Sequence, residues 1–406
     1  MAVMVGLALL VAFPPTILTV GDGRIYAQIT DAVAAAKTGD TIAVYRKKEG
    51  YGGTAVLIRK DGLKIVGMES PRIILDGGSF EYSGAGSVPR AIFQVDPGAD
   101  GVTIENFELR GAHNLSYNGA GVRINAANHV TIRNCDIHGN DMGIMSNGIA
   151  GNPHAGEDQL IESCRIHENG NLKDPGYNHN LYLGGTSATV RFCDIHHSLT
   201  GHNLKSRAHF TLVEYSHIHD SANRELDFVE AWDTERPNSN AVLLGNVIEK
   251  DPNCPGNRVT IHFGREKGKR DGSLFLLHNT VTTPFLSGVI SLSTGKAGCR
   301  LENNDIRNTV QSRPHLVDVS AGGMLSTVTG GKNLIGKGYD LAGTGLKAEW
   351  TFDRYAGKGE MPASMIPIPT TYRDGDGKSV PAQPKFQWSG TGVWKPARGL
   401  VFGAGP

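Results

Sequence analysis

One short phrase recurs down the middle of the chain, and it restricts the fold more than any other feature. Written from its first apolar residue, it reads IENFELR from Ile104, IRNCDIH from Ile132, IESCRIH from Ile161 and VRFCDIH from Val190. It continues as VEYSHIH from Val213, LLGNVIE from Leu243, LLHNTVT from Leu276 and LENNDIR from Leu301. The starts lie about 23–33 residues apart, a period that belongs to stacked solenoids. Inside each phrase apolar and polar residues alternate, which is the period of a strand. The chain is therefore predicted to be an all-β, single-stranded parallel β-helix, with each phrase one strand lying over the last.

Position four of the phrase runs Phe107, Cys135, Cys164, Cys193, Ser216, Asn246, Asn279 and Asn304. Stacked strands would make this a column with steps of about 4.8 Å. Asparagines in such a column can bond through their amides to the coil above and below. The three cysteines are predicted to be buried free thiols, because like side chains side by side have poor bridging geometry. The total of five cysteines is odd, so at least one is unpaired.

A chain of 406 residues with 53 glycines suits a solenoid that turns every few residues. Its formal net charge of zero supplies no global field for nucleic acid, and no nucleic-acid partner is expected. The first residues, MAVMVGLALLVAF, are apolar but too few to span a bilayer. Residues 1–15 read as the apolar region of a secretory signal, although a basic leader and a clear cleavage site are missing. A secreted or periplasmic protein without membrane insertion is the expectation. The solenoid is placed at 16–344, opened by a short capping helix with Ile29, Val33 and Ala34 on one face. Residues 345–406 form a Gly/Pro-rich tail with Trp350, Trp388 and Trp394, expected to pack along the solenoid. Capped solenoids are commonly monomers, and a monomer is expected here.

Each coil carries a second strand upstream of the phrase: GVRIN from Gly121, GIMSN from Gly143, HNLYLG from His179, HNLKSR from His202, RELDFV from Arg224 and RVTIHF from Arg258. Alternation directs Val122 and Ile124, Leu181 and Leu183, Leu226 and Phe228, and Val259 and Ile261 inward. The outward set is then Arg123, Met145, Asn180 with Tyr182, Asn203 with Lys205, Glu225 with Asp227, and Arg258, Thr260 and His262. A flat row of ionisable groups on a rigid sheet suits a polymer lying on the solenoid. The bland reading is a cross-strand ion pair between Lys205 and Asp227. The doubled His-Asn-Leu motif places His179 and His202 inward or at a strand edge. A separate histidine column, His138, His167, His196 and His219, follows the inward residue of four phrases. No carboxylate or thiolate is spaced to complete a metal shell there, and a stacked or solvated ladder is expected.

The repeat, the capping helix and GHNLKSRAHFTLVEYSHIHD resemble right-handed parallel β-helix proteins of the pectate-lyase-like superfamily, over residues 16–330. LKSRAHFTLVEYSHIHD is similar to the Lys-Ser coil of alginate lyase and chondroitinase B type enzymes. That resemblance implies a polysaccharide lyase acting on an anionic, uronate-containing polysaccharide, with Lys205 as base and calcium at the uronate. The Arg those enzymes carry on the following coil is absent; Asp227 occupies its neighbourhood, and Arg207 or Arg123 stands in. The expected catalytic set is Lys205, Tyr182, Arg207 and His202. Asn180, Asn203, Arg123, His179 and His262 are expected to contact substrate, and Glu225 with Asp227 to hold calcium through hard oxygens. The loop GREKGKRDG, with Arg265, Lys267, Lys269 and Arg270, would extend a basic groove. Alternatives on the same residues are a uronate carbon-5 epimerase, a glycoside hydrolase using Glu225 and Asp227, and a non-catalytic glycan-binding protein.

Overall fold

The computed structural model describes residues 14–86, 88–266, 270–294, 298–309, 315–319 and 327–336, with shorter pieces between residues 339 and 396. Residues 1–13, which hold most of the expected signal, lie outside that description, as do the side chains of Trp350, Trp388 and Trp394. Among the described residues the chain winds into three long parallel sheets, and each sheet takes every third strand of the stack. The first runs from Ile17–Val20 to Thr327–Gly331, the second from Tyr51–Gly52 to Trp350–Thr351, and the third from Val56–Ile58 to Val317–Val319. No helix of the described residues is long and apolar enough to cross a membrane.

The recurring phrase is two strands and not one. Thr131–Arg133 pairs within the first sheet, whereas Asp136–His138 pairs within the second. The third residue of the phrase makes the corner, in left-handed backbone: Asn106 (φ 65°), Asn134 (49°), Ser163 (54°), Phe192 (56°), Tyr215 (49°), Gly245 (67°), His278 (59°) and Asn303 (57°). This residue faces neither in nor out, so alternation resumes one place later. Positions one, four and six all point inward. Position one is a fully buried aliphatic ladder, Ile104, Ile132, Ile161, Val190, Val213, Leu243, Leu276 and Leu301. Burial of each such side chain contributes about 1.5–3 kcal/mol.

Position four forms the expected column. Asn246 Nδ2 donates to Asn279 Oδ1 at 3.0 Å, Asn279 Nδ2 to Asn304 Oδ1 at 3.1 Å, and Asn304 Nδ2 to Asn333 Oδ1 at 2.9 Å. Each amide also donates to a backbone carbonyl of the coil above, as Asn279 does to Leu243 O at 2.8 Å. All five cysteines are buried and free. At the N-terminal end the helix Ile29–Ala35 buries Ile29, Ala32 and Val33 against the first coil; Ala34 faces solvent. A hairpin, Thr370–Arg373 with Ser379–Ala382, packs Tyr372 and Ala382 onto the corner residue Tyr215 and onto Val242, Leu244, Phe275 and Leu277 of the first sheet.

Candidate active site

The third sheet aligns the expected row. Met145, Tyr182, Lys205, Asp227 and His262 are register partners on successive coils, with Ser291 and Asp318 beyond them. Their neighbours Leu181, Leu183, Leu204, Leu226, Phe228, Ile261 and Phe263 are fully buried, so the row lies on the outer face. On the Arg258 coil the inward pair is Ile261 and Phe263; Val259 lies ahead of the strand, which begins at Ile261. The row is outward but not open. Loops overhang it, and the Lys205 and Asp227 side chains are only 8% and 2% exposed.

Asp227 is the hub. Its Oδ1 accepts from His262 Nδ1 at 2.7 Å and from Arg224 at 3.1 Å, and its Oδ2 lies 3.3 Å from His202 Nε2 and 3.7 Å from Lys205 Nζ. Burial acts to raise its carboxyl, but the His202 and His262 contacts outweigh it and hold the group well below the usual carboxylate range. His202 Nδ1 accepts the Arg224 backbone N–H at 3.1 Å, so its proton sits on Nε2 and points at Asp227. His179 Nδ1 likewise accepts the His202 N–H at 2.9 Å, and the two rings stack 5.0 Å apart. Burial pushes both imidazoles below their ordinary pKa, leaving them neutral. His179 and His202 are positioning residues at the strand edge. Both ring nitrogens of His202 are engaged within the protein, Nδ1 by the Arg224 N–H and Nε2 by Asp227.

Lys205 and Arg207 converge on one carboxylate. Lys205 Nζ donates to Glu266 Oε1 at 3.0 Å, and Arg207 donates to Glu266 Oε2. Arg207 also lies over the Tyr182 ring, 5.6 Å from its centroid. Burial, foremost, raises the Tyr182 phenol, with Glu266 and Asp227 adding to the rise and Arg207 opposing it. Glu266 belongs to the loop after Ile261–Phe263. That loop is fastened by Ser293, whose Oγ accepts the Arg265 N–H at 2.9 Å and lies 2.6 Å from His262 Nε2. A hydrogen-bonded chain therefore runs from Asp227 through His262 and Ser293 to the segment that carries Glu266. Its carboxylate–imidazole–hydroxyl order serves as a latch, because Ser293 is also bonded to the Arg265 carbonyl at 3.2 Å.

Several expectations need correction. Asn180, Asn203 and Glu225 do not face outward; all three are completely buried. They lie one residue before the strand, where the turn from the second sheet breaks the alternation. There they continue a second ladder: Asn169 Nδ2 to Asn180 Oδ1 at 2.9 Å, Asn180 Nδ2 to Asn203 Oδ1 at 2.8 Å, and Asn203 Nδ2 to Glu225 Oε2 at 2.6 Å. Their hydrogen-bonding capacity is used inside the protein and cannot orient a substrate. Glu225 ends on the fully buried Lys250 at 3.3 Å and, pushed up by burial, titrates at about 7. It cannot pair with Asp227 across a substrate as a hydrolase acid and base. Nor does the donor set fit calcium, since the Asp227 oxygens face N–H donors and those of Glu225 face Asn203, Ser221 and Lys250.

Arg123 shares the row but is three coils from Lys205, about 14 Å at strand spacing. It is bound to Asn125 at 3.0 Å and to Met145 Sδ, so it cannot replace the missing Arg. Arg270 is no groove cation; it is 2% exposed and donates to the carbonyls of Ser239, Val229 and Ala208, which belong to neighbouring coils. Lys267 and Lys269 lie outside the described residues.

With this geometry in view, the comparisons with known proteins are consistent. The family model for the right handed beta helix region matches residues 120–306. The chain is a right-handed parallel β-helix. A DFA-IIIase from Arthrobacter chlorophenolicus A6, without its lid and in complex with GF2, matches with a TM-score of 0.51 and 14% identity, over 77% of this chain and 89% of that one. Pectate lyase Pel9A matches with a TM-score of 0.48 and 12% identity, over 89% and 86%. At 14% identity the likeness to the DFA-IIIase establishes the fold alone. No curated protein matches the sequence.

On this β-helix, sequence reading missed Glu266, Arg224 and Ser293. Glu266 is hidden in GREKGKRDG, where it stands among four cations and a second carboxylate, Asp271. Its contact to Lys205 spans 61 residues, and no local pattern reports it. Arg224 opens RELDFV and its signal was available: it stands three residues before Asp227 and pairs with it.

Proposed function

We propose that this β-helix is a carbohydrate-active enzyme, a lyase that cleaves a uronate-containing anionic polysaccharide by β-elimination. The observation that carries the reading is the joint grip of Lys205 and Arg207 on the Glu266 carboxylate. Two cations, two residues apart and converging on one carboxylate, are what a uronate needs. The sugar carboxylate displaces Glu266, and the pair neutralises it, which acidifies the adjacent C–H bond. Charge-assisted bonds of this kind are roughly twice as strong as neutral ones.

Lys205 is engaged by two carboxylates, so its surroundings support charge neutralisation and not proton abstraction. Tyr182 is then the proton-transfer group. No hydrogen bond occupies its hydroxyl among the described residues, and it stands one coil from Lys205. The phenolate takes the proton α to the carboxylate, the electron pair forms the C=C bond, and the glycosidic C–O bond breaks. The leaving oxygen recovers a proton from the same phenol. Trp232, 56% exposed on the loop that also carries Glu230, offers an apolar face for a sugar ring.

The test is ultraviolet absorbance of the unsaturated uronate with alginate, pectate, glycosaminoglycans and bacterial exopolysaccharides. A rise is expected with one polymer, lost by about 10²–10⁴-fold in Tyr182→Phe and abolished in Lys205→Ala. New reducing ends without absorbance would sink the elimination and leave a hydrolase. Because the Tyr182 phenol is raised, the rate should climb toward alkaline pH, and a flat profile would remove Tyr182 from the base role.

A further inference from the structure

The outer face of the second sheet carries a different constellation. Asp194–His196 and His217–His219 are register partners, Asp194 opposite His217 and His196 opposite His219. Ile195 and Ile218 are fully buried, so the flanking side chains all stand on the outer face. We propose that Asp194, His217 and His219 form a binding site for a divalent transition-metal ion such as Zn²⁺ or Co²⁺.

Their ligand atoms lie within 4.8 Å of one another. Asp194 Oδ1 is 3.1 Å from His219 Nε2 and 3.6 Å from His217 Nδ1. A metal about 2.0–2.1 Å from each ligand in tetrahedral geometry needs edges of about 3.3 Å. The two measured edges bracket that length. The remote nitrogen of each imidazole is already held by a carboxylate: His217 Nε2 by Glu249 Oε2 at 2.8 Å, and His219 Nδ1 by Asp220 Oδ2 at 2.7 Å. This outer ring fixes which nitrogen faces the metal and raises its basicity.

The rest of the histidine ladder lacks this convergence. His167 lies between two carboxylates, Asp136 and Glu168, one on each nitrogen. His138 meets Glu108. His196 has Nε2 3.3 Å from Arg165 and 3.8 Å from Asp194 Oδ2, and Nδ1 facing His197 at 2.8 Å. At Asp194 Oδ1, the imidazoles of His217 and His219 converge on one carboxylate oxygen. The expectation that no carboxylate completes a shell fails because Asp194 comes from the coil before His217, a neighbour across the sheet and not along the chain.

The test uses the full chain freed of metal by chelation and titrated with Co²⁺, followed through its visible absorption and displaced by Zn²⁺. One ion per chain is expected. Asp194→Asn and His217→Gln should abolish the cobalt band, Glu249→Gln should weaken affinity by about 10–100-fold, and His138→Gln should leave it unchanged. Melting in chelator, compared with the unaltered protein, separates loss of ligand from loss of fold. Absence of a cobalt band in the unaltered protein would overturn the proposal. So would binding that survives His217→Gln but is lost in Asp220→Asn, which would place the ion among His197, His219 and Asp220.

Discussion

Glu225 and Asp227 stand two residues apart, and their surroundings give them opposite chemistry. Asp227 is kept ionised by His202, His262, Arg224 and Lys205 around it. Glu225 is sealed in the amide ladder and shares its environment with one buried ammonium, Lys250. Removing Glu225 as Glu225→Ala leaves that ammonium without its carboxylate, and the expected loss is about 3–5 kcal/mol in urea unfolding. A loss below 1 kcal/mol would mean that Lys250 reaches water or another anion. Asn279→Ala should cost about 1–3 kcal/mol, because it strands the donors and acceptors of two neighbouring rungs. Unchanged melting would show that the ladder is not cooperative.

At the scale of the element, the corner between the first and second sheets sets the geometry of every coil. Gly245 holds it at φ 67°, and an added Cβ would lie 2.6 Å from the Tyr215 ring. Gly245→Ala should therefore destabilise by about 1–3 kcal/mol, while Ser163→Gly at the equivalent corner should not; equal effects would contradict the assignment. This corner also shows what was legible in the sequence. The repeat and the inward columns were readable because in-register stacking places like residues over one another. The split of the phrase into two strands was not, since the corner accepts Asn, Ser, Phe, Tyr, Gly and His alike. The row Tyr182, Lys205, Asp227 and His262 followed from alternation along the strand upstream of each phrase. The depth of Asn180, Asn203 and Glu225 did not, because alternation does not hold through a turn. Contacts made by loops, above all Glu266 on Lys205, leave no periodic trace.

Across the whole molecule, two outer faces carry separate chemistry on one apolar stack. The third sheet presents the carboxylate grip, and the second presents the histidine and carboxylate grid. Several buried imidazoles also tie stability to pH. His278, packed beneath the hairpin with Nε2 3.2 Å from Thr370 Oγ1, is lowered by burial to about 4. The unfolded chain takes up this proton at about pH 6.5, the folded chain only near 4, so folding stability from this group falls as pH drops through that window. His278→Gln should gain stability relative to the unaltered protein between pH 6.5 and 4. A difference independent of pH would show that His278 titrates normally.

In the proposed function, Lys205 and Arg207 hold a sugar carboxylate in the place that Glu266 occupies. The most direct measurement is calorimetric binding of a uronate oligosaccharide and its neutral, carboxyl-reduced counterpart to the unaltered protein and to Glu266→Gln. Tighter binding of the acidic sugar to Glu266→Gln is expected, with no gain for the neutral one. Equal affinity for both sugars, or weaker binding of the acidic sugar once Glu266 is neutralised, would contradict the proposed function.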